Sequence, residues 1–521
     1  MSNASPVSPP PRSRRWWLAA AIVVAGGVAI AFIQLSDFFE SWTRFPFTVL
    51  AVVGALVLLA VWLMFLSGLR WRNRFIGLAS GLALLVAALV GLSQVTKWEG
   101  SLNGTGTPRL VWKWETQPDR GLSIPEVDTK RGAPKVDLAA TSSSDYPRFL
   151  GADGQGTVLG VHLTRDWSRR PPEEIWRQPV GAGWSSFAVV GRFAVTQEQR
   201  GEEELVVCYD IPTGGVRWVH TNQARFSEKM GGDGPRATPT IAGGRVYALG
   251  ATGILDCLDG ASGKVVWSRR TLEENQLPNL IWGKSSSPLI VDDLVVVSGG
   301  DVDHSSLLAF RKDTGEPAWQ AGDDKASYSS PTLATLANVR QLLSVNAGSV
   351  SGHDPATGKV LWEYPWPGEW AKCSQPVPLP PDRLFISAGY GIGCALLHIE
   401  HDKATEVWKN KNLKTQFTNA VVRDGFAYGL DDGILVCLDL ATGARKWKGG
   451  RYGHGQVLRV DDLLLVQAEA GDVVLVEANP DGHHELTRFG ALKGKTWNNP
   501  VVSAPYLLVR NDREAVCFRL P

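Results

Sequence analysis

Three stretches near the start of the chain are apolar from end to end: Trp17 to Leu35, Phe45 to Leu66 and Phe75 to Val95, with no Asp, Glu, Lys, Arg or His inside them. Each has the roughly 20 residues that a bilayer-spanning helix needs, so the pattern predicts transmembrane helices at about 17–35, 45–66 and 75–95. From about residue 146 the pattern changes. Short β-branched and aliphatic runs, such as Arg245-Val-Tyr-Ala-Leu-Gly and Leu294-Val-Val-Val-Ser-Gly, are separated by Gly, Asn and Asp turns, and no long amphipathic helix interrupts them. That is the signature of an all-β domain. Between the two, Gly100 to Asp145 is rich in Gly, Pro, Ser, Thr and charge, without sustained periodicity, and reads as a flexible linker. The expected division is 1–99 membrane anchor, 100–145 linker and 146–521 sheet domain.

The sheet domain repeats. An acidic residue, a short turn ending in Gly and then a Trp recur as Asp210-Ile-Pro-Thr-Gly-Gly-Val-Arg-Trp218, Asp259-Gly-Ala-Ser-Gly-Lys-Val-Val-Trp267, Asp354-Pro-Ala-Thr-Gly-Lys-Val-Leu-Trp362 and Asp439-Leu-Ala-Thr-Gly-Ala-Arg-Lys-Trp447. Weaker copies end at Trp319 and Trp408, a degenerate one puts Leu486 where Trp is expected, and Trp176 stands alone as the last strand of a copy. From Trp176 to Leu486 the steps are 42, 49, 52, 43, 46, 39 and 39 residues, the length of a four-stranded propeller blade. After Leu486 only three strand-like pieces remain, near Asn499, Tyr506 and Ala515. The orphan around Trp176 supplies the fourth. Pairing the two ends of the chain in one blade closes the ring without open edges. The expected fold is therefore an eight-bladed all-β propeller preceded by three transmembrane α-helices. The acidic side chain caps the turn, Gly supplies backbone freedom, and each Trp wedges a large flat surface against the neighbouring blade, which makes Trp176, Trp218, Trp267, Trp319, Trp362, Trp408 and Trp447 structural docking residues.

Charge then sets the orientation. Arg12, Arg14 and Arg15 precede the first span, and Arg70, Arg72 and Arg74 follow the second. The loop after the first holds Asp37, Glu40 and Arg44. Cationic loops stay in the cytoplasm, so the expected topology puts the N-terminus in the cytoplasm and the sheet domain outside it, in the periplasm. Without an ionisable residue the spans read as an anchor rather than a transport path. The net charge of the whole chain is only +1, which argues against nucleic acid as a partner.

The Asp-x-x-Thr-Gly-x-x-x-Trp motif resembles the tryptophan-docking motif of the pyrroloquinoline quinone (PQQ) repeat propellers, a family that includes quinoprotein alcohol dehydrogenases and the assembly lipoprotein of the outer-membrane BAM complex. The resemblance covers roughly residues 146 to 521. The segments Asp145-Tyr-Pro-Arg-Phe-Leu-Gly, Glu198-Gln-Arg-Gly-Glu-Glu-Glu and Arg451-Tyr-Gly-His-Gly-Gln look like a membrane-anchored, planctomycete-type subgroup. The resemblance implies a quinoprotein-like fold, and for its enzyme members PQQ with calcium. Those enzymes carry two adjacent cysteines over the quinone; this chain has no Cys-Cys pair, and no Glu, Asn and Asp calcium set can be placed on matching positions.

Other chemistry is sparse. Cys208, Cys257 and Cys437 each stand two residues before the motif Asp, and Cys517 falls in the corresponding strand; one slot in separate blades suits buried small hydrophobes better than disulfides. Cys373 and Cys394 flank the first two strands of one blade and could come close. Gly389-Tyr-Gly-Ile-Gly393 lacks the strand-to-helix setting of a dinucleotide loop. Asp301-Val-Asp-His304 lacks the Gly and terminal Glu of a calcium loop.

One constellation remains. In a propeller the innermost strand of each blade starts at the mouth of the central channel. Those starts bring Arg236, Lys284, Tyr328, Ser330, Gln375, Lys414, His454, Gln456, Trp497 and Asn498 toward one axis, as a candidate site for an anion or polar ligand. The alternative is a ring of ordinary polar turns around a water-filled channel. The leading expectation is a binding or scaffolding module on the outer face of the cytoplasmic membrane, without catalysis and without a firm cofactor, whose partners are the lipid bilayer and a protein or polar small ligand at one propeller face. The second is a PQQ-dependent dehydrogenase feeding electrons to the membrane quinone pool.

Overall fold

The computed structural model describes residues 15–36, 38–129, 134–368 and 370–521; Arg12, Arg14 and Asp37, used above for orientation, lie outside them. The chain forms two compact units, Met1–Glu115 and Thr116–Pro521.

The first unit holds α1 (Trp16–Leu35), α2 (Ser41–Val61), which a π-helical turn extends over Trp62–Leu66, and α3 (Trp71–Val95). All three are long and apolar enough to cross a membrane. α3 starts before the expected Phe75, because Arg74 folds back on the chain. Its guanidinium donates to the carbonyls of Leu69 at 2.7 Å and Met64 at 2.5 Å and lies 5.0 Å from the Trp71 ring. These bonds use carbonyls that the break between α2 and α3 leaves without helical partners. Directly after α3, β1 (Thr96–Ser101) and β2 (Pro108–Trp112) form an antiparallel hairpin.

The second unit is an eight-bladed β-propeller. Seven blades follow in chain order, from Ala188–Asn222 to Gln456–Gly490; six are four-stranded and antiparallel, and the seventh adds Thr157–Val158 as a fifth strand parallel to Gln456–Val460. The eighth joins Val501–Ser503, Tyr506–Arg510 and Glu514–Arg519 to Glu173–Pro179, with Cys517 opposite Trp176. The two chain ends thus share one sheet. Arg510 ties this blade to the first: it is 1% exposed and donates to Thr196 Oγ1 at 2.8 Å, the Gln197 carbonyl at 2.8 Å and the Gly181 carbonyl at 3.0 Å. The cores lie between blades, as where Leu205 and Val207 of the first cluster with Val509 and Val516 of the eighth.

Each Trp lies within the outermost strand, and most reach the turn of the next blade. Trp176, Trp218, Trp267, Trp408 and Trp447 donate their indole N–H to the carbonyls of Ile211, Gly260, Lys312, Leu440 and Asn479 at 2.6–2.9 Å. Trp319 packs on Gly358 with its N–H unpaired. Trp362 differs. The next blade's turn, Asp402-Lys403-Ala404-Thr405, has no Gly to receive an indole face, and Trp362 donates to Gln341 Oε1 of its own blade at 2.6 Å.

The slot shared by four cysteines faces these rings: Cys208, Cys257, Cys437 and Cys517 stand directly across the strand pair from Trp218, Trp267, Trp447 and Trp176. All six thiols are free, Cys373 and Cys394 included. Burial raises the thiol of Cys257 to about 11 and that of Cys517 to about 12, which leaves them inert as nucleophiles.

Of the stretch expected as a flexible linker, Gly100–Trp112 belongs to the hairpin, and Asp119, Asp128, Pro134 and Leu138 are bonded to or packed on the first two blades. Gly201 donates its N–H to the Asp119 carbonyl at 3.2 Å, Asp128 its N–H to that of Val216 at 2.7 Å, and Arg217 reaches the carbonyls of Asp128 and Pro134 at 3.1 Å each. Buried Asp119 accepts from Arg225 at 2.7 Å, and Arg225 also meets Asp233 at 2.5 Å. Leu138 is 2% exposed among Ala188, Val190, Ile241 and Val246.

Candidate functional site

The innermost strands begin with a hydrogen-bonded belt. The backbone N–H of Ser186 donates to Thr238 Oγ1 at 3.0 Å, that of Thr238 to Ser287 Oγ at 3.0 Å, that of Ser287 to Ser330 Oγ at 2.9 Å, that of Ser330 to Gln375 Oε1 at 3.2 Å and that of Gln375 to Asn419 Oδ1 at 2.9 Å. Five links therefore run through six consecutive blades. Thr238, Ser287, Ser330 and Gln375 each precede a proline. A residue before proline is held extended, which keeps its side chain aimed at the preceding blade. Gln456 and Asn498 serve the same purpose in another way. Gln456 Nε2 donates to the Trp497 carbonyl at 2.9 Å, and Asn498 Nδ2 to that of Ser185 at 2.7 Å. Their side-chain oxygens, Gln456 Oε1 and Asn498 Oδ1, are buried without a protein partner.

Two residues before seven of the belt positions stand Trp184, Arg236, Ser285, Tyr328, Cys373, Phe417 and His454, and in the eighth blade Trp497 stands directly before Asn498. The rings join where the sixth, seventh, eighth and first blades meet: His454 to Phe417 at 5.4 Å, Phe417 to Trp497 at 4.8 Å and Trp497 to Trp184 at 4.8 Å between centroids. Lys495 Nζ lies 4.2 Å from the Trp497 centroid and 4.9 Å from that of Trp184. Glu469 fixes the group by accepting from Trp497 Nε1 at 2.7 Å and from the His454 backbone N–H at 3.1 Å. Burial pushes the Glu469 carboxyl up, but His454 and the indole N–H outweigh it and hold it below the ordinary carboxylate range. Elsewhere on the rim Tyr328 packs 5.5 Å from Trp282 and accepts its backbone N–H at 3.2 Å. The Arg236 guanidinium lies 4.5 Å from the Phe226 ring.

The cationic candidates are spoken for within the protein. Arg236 donates to the carbonyls of Gly232, at 2.6 Å, and Gly234, and burial lowers it to about 10. Lys284 is fully buried; its ammonium meets the carbonyl and hydroxyl of Ser298, both at 2.7 Å, and the Gly299 carbonyl. Burial alone lowers it to about 7. Lys414 pairs with Asp431 at 2.7 Å and Asp432 at 3.5 Å, and Lys448 takes the other oxygen of Asp431 at 2.7 Å.

The ten expected residues therefore divide. Ser330, Gln375, Gln456 and Asn498 hold blades together. Lys284 and Lys414 are internal. Arg236, Tyr328 and Trp497 are partly exposed where the innermost strands begin, and His454 is 3% exposed. Trp184 and Phe417 belong with them and escaped the sequence reading; their signal was position, two residues before a belt residue. Such a rim can stack flat groups and hold cations on ring faces. Among the described residues no three of His, Cys, Asp and Glu come together to hold a metal ion. The chain also has no adjacent cysteine pair.

An eight-bladed ring whose last blade takes Glu173–Pro179 as its fourth strand, with indoles of most outer strands set on the next blade, defines a propeller of the PQQ-repeat class. The chain belongs to the family described as outer membrane protein assembly factor BamB, whose model matches residues 167–297 and 203–449. It is similar to the protein of that name from Bordetella pertussis, 22% identical over 338 residues that cover 64% of this chain and 71% of the relative. It is also 23% identical over 258 residues to quinohemoprotein alcohol dehydrogenase ADH-IIG of Pseudomonas putida, covering 46% of this chain but only 32% of the dehydrogenase. Among solved structures, BamB from Moraxella catarrhalis superposes with a TM-score of 0.50 at 14% identity, over 67% of this chain and 98% of that one. The quinohemoprotein alcohol dehydrogenase from Comamonas testosteroni gives 0.56 at 13% identity, over 74% and 82%. At these identities the structural likeness is one of fold.

Proposed function

We propose that this protein is a membrane-anchored binding module: three helices fix it in the cytoplasmic membrane, and the extracytoplasmic propeller recognises a protein partner through the rim of its channel. The observation that carries the reading is the continuous aromatic group Trp184, Trp497, Phe417 and His454, drawn from four blades and set by Glu469. Aromatic residues concentrated in one place are what recognition surfaces use, while the polar groups nearby are occupied with holding blades together. Family membership supports it, since the namesake is an assembly factor. A quinoprotein dehydrogenase is supported by the resemblance to ADH-IIG and opposed by the lack of an adjacent cysteine pair.

Two measurements test this. Calorimetry of the full chain with PQQ, with and without Ca²⁺, should give no heat of binding; tight, calcium-dependent binding would replace the module reading with the dehydrogenase. A photo-crosslinking residue at Lys495, which lies against the Trp184 and Trp497 rings, should trap a discrete extracytoplasmic protein, and Trp184→Ala should abolish the adduct. An adduct unaffected by Trp184→Ala would remove the rim from the recognition surface.

A further inference from the structure

We infer that the β1–β2 hairpin is an interfacial anchor, a two-stranded ribbon whose aromatic face lies in the lipid headgroup layer where α3 leaves the bilayer. The inference rests on the membrane reading of the three helices and adds a lipid-contacting surface to it. No residue separates the helix from the hairpin, because α3 ends at Val95 and β1 begins at Thr96. The ladder also reaches the helix itself, through the Lys113 N–H donating to the Val95 carbonyl at 2.9 Å. The hairpin is therefore held at the helix terminus rather than hung from it.

Its register sorts its side chains. Thr96 pairs with Trp112, Lys97 with Val111 and Trp98 with Leu110. Alternation then puts Trp98, Leu110 and Trp112 on one face and Lys97, Glu99, Arg109 and Val111 on the other. The polar face is internally satisfied, with Lys97 Nζ 3.4 Å from Glu99 and 3.2 Å from the Glu115 carbonyl, and Val111 is buried. The aromatic face is open: Trp98 is 43%, Leu110 55% and Trp112 50% exposed, and Trp114, 69% exposed, stacks on Trp112 at 5.1 Å and 7°. A soluble hairpin has no reason to leave three indoles and a leucine in water.

The distribution along the hairpin identifies the occupant. The aromatic rungs are the first and third from Val95, Thr96–Trp112 and Trp98–Leu110, the farther no more than about 10 Å beyond it at the rise of a strand. The interfacial layer is roughly 5–7 Å deep on each side of the hydrocarbon, so a tilted hairpin keeps both rungs within it. The tip is polar, where Asn103 Oδ1 accepts the Thr105 N–H at 3.1 Å and the Thr105 and Thr107 hydroxyls bond at 2.8 Å; Leu102 is its one exposed apolar side chain. Apolar near the helix and polar away from it is the gradient of a membrane surface, and Trp is the residue that prefers the headgroup level. Such a stop would set the depth and tilt of α3.

The test uses the full chain in phosphatidylcholine nanodiscs. With 21 Trp residues, intrinsic fluorescence cannot report on one hairpin, so an environment-sensitive fluorophore is placed by Leu110→Cys, by Thr105→Cys at the tip and by Gly81→Cys inside α3. Lipids spin-labelled near the headgroup should quench position 110 about threefold more than position 105, and Trp98→Ser/Trp112→Ser should reduce the quenching at 110. Lipids labelled deep in the acyl chain should quench position 81. If 81 is quenched and 110 is no more quenched than 105, the hairpin is not an interfacial anchor and the membrane reading stands. If 81 is unquenched, the membrane reading fails and the anchor fails with it.

Discussion

Gly263 in the turn of the second blade lies against the indole of Trp218 in the first: a Cβ on Gly263 would fall 2.5 Å from Trp218 Cε3, and its φ is +69°. Two demands meet at one residue, a left-handed backbone and a flat space for the ring. Gly263→Ala should therefore cost about 2 kcal/mol or more. Gly425→Ala is the control, since φ there is +82° with nothing within 4 Å of a Cβ; it should cost about 1 kcal/mol from backbone strain alone. Denaturant titrations of the two variants separate the terms, and equal losses would show that the ring does not need the space.

Asp431 is 1% exposed and receives Lys414 and Lys448 on separate oxygens. Asp431→Asn leaves the Lys448 ammonium without the carboxylate it meets at 2.7 Å and leaves Lys414 with Asp432 at 3.5 Å. Breaking such a group costs about 3–5 kcal/mol. The shift in denaturation midpoint reads the loss, and Lys448→Met in the Asp431→Asn background should recover part of it.

Lys284 has only neutral oxygens around its ammonium, and burial lowers it from 10.5 to about 7. Between about pH 7 and 10.5 the unfolded chain carries the Lys284 proton and the folded chain does not, so folding releases it and this residue's contribution makes stability rise with pH. Below pH 7 both states hold the proton and the contribution is flat. Lys284→Met should remove that rise, measured as melting temperature against pH for the two proteins side by side; parallel curves would mean that Lys284 is protonated in the folded state across the range.

The blades were legible because one large residue marks each: Trp218, Trp267, Trp362 and Trp447 recur with their Asp and Gly, and an orphan Trp176 plus three spare strands leaves only one way to close the ring. What was not legible depends on partners far away in sequence. Asp119 and Leu138 look like linker residues until Arg225 and the space between the first two blades are in place. Ser330 and Gln375 look like ligand-binding groups until the neighbouring blade's N–H is seen to reach them. Trp184 and Phe417 sit in loops where neither helical nor strand periodicity applies, so only their equivalence to Trp497 and His454 across blades reveals them.

Topology is the expectation on which function depends most. Three helices are long and apolar enough to span, which would put the two ends of the chain on opposite sides, and Arg70, Arg72 and Arg74 between α2 and α3 favour a cytoplasmic position for that loop. Alkaline phosphatase fused after Pro521 should then be active and a green fluorescent protein fused there dark, with the reverse at a fusion after Ser67. Replacing Arg70 and Arg72 by Glu, while leaving Arg74 to its bonds with Leu69 and Met64, weakens the signal without disturbing the turn, so phosphatase activity at Pro521 should fall. An inactive phosphatase and a bright fluorescent protein at Pro521 in the unaltered chain would place the propeller in the cytoplasm, and the partner would have to be sought there.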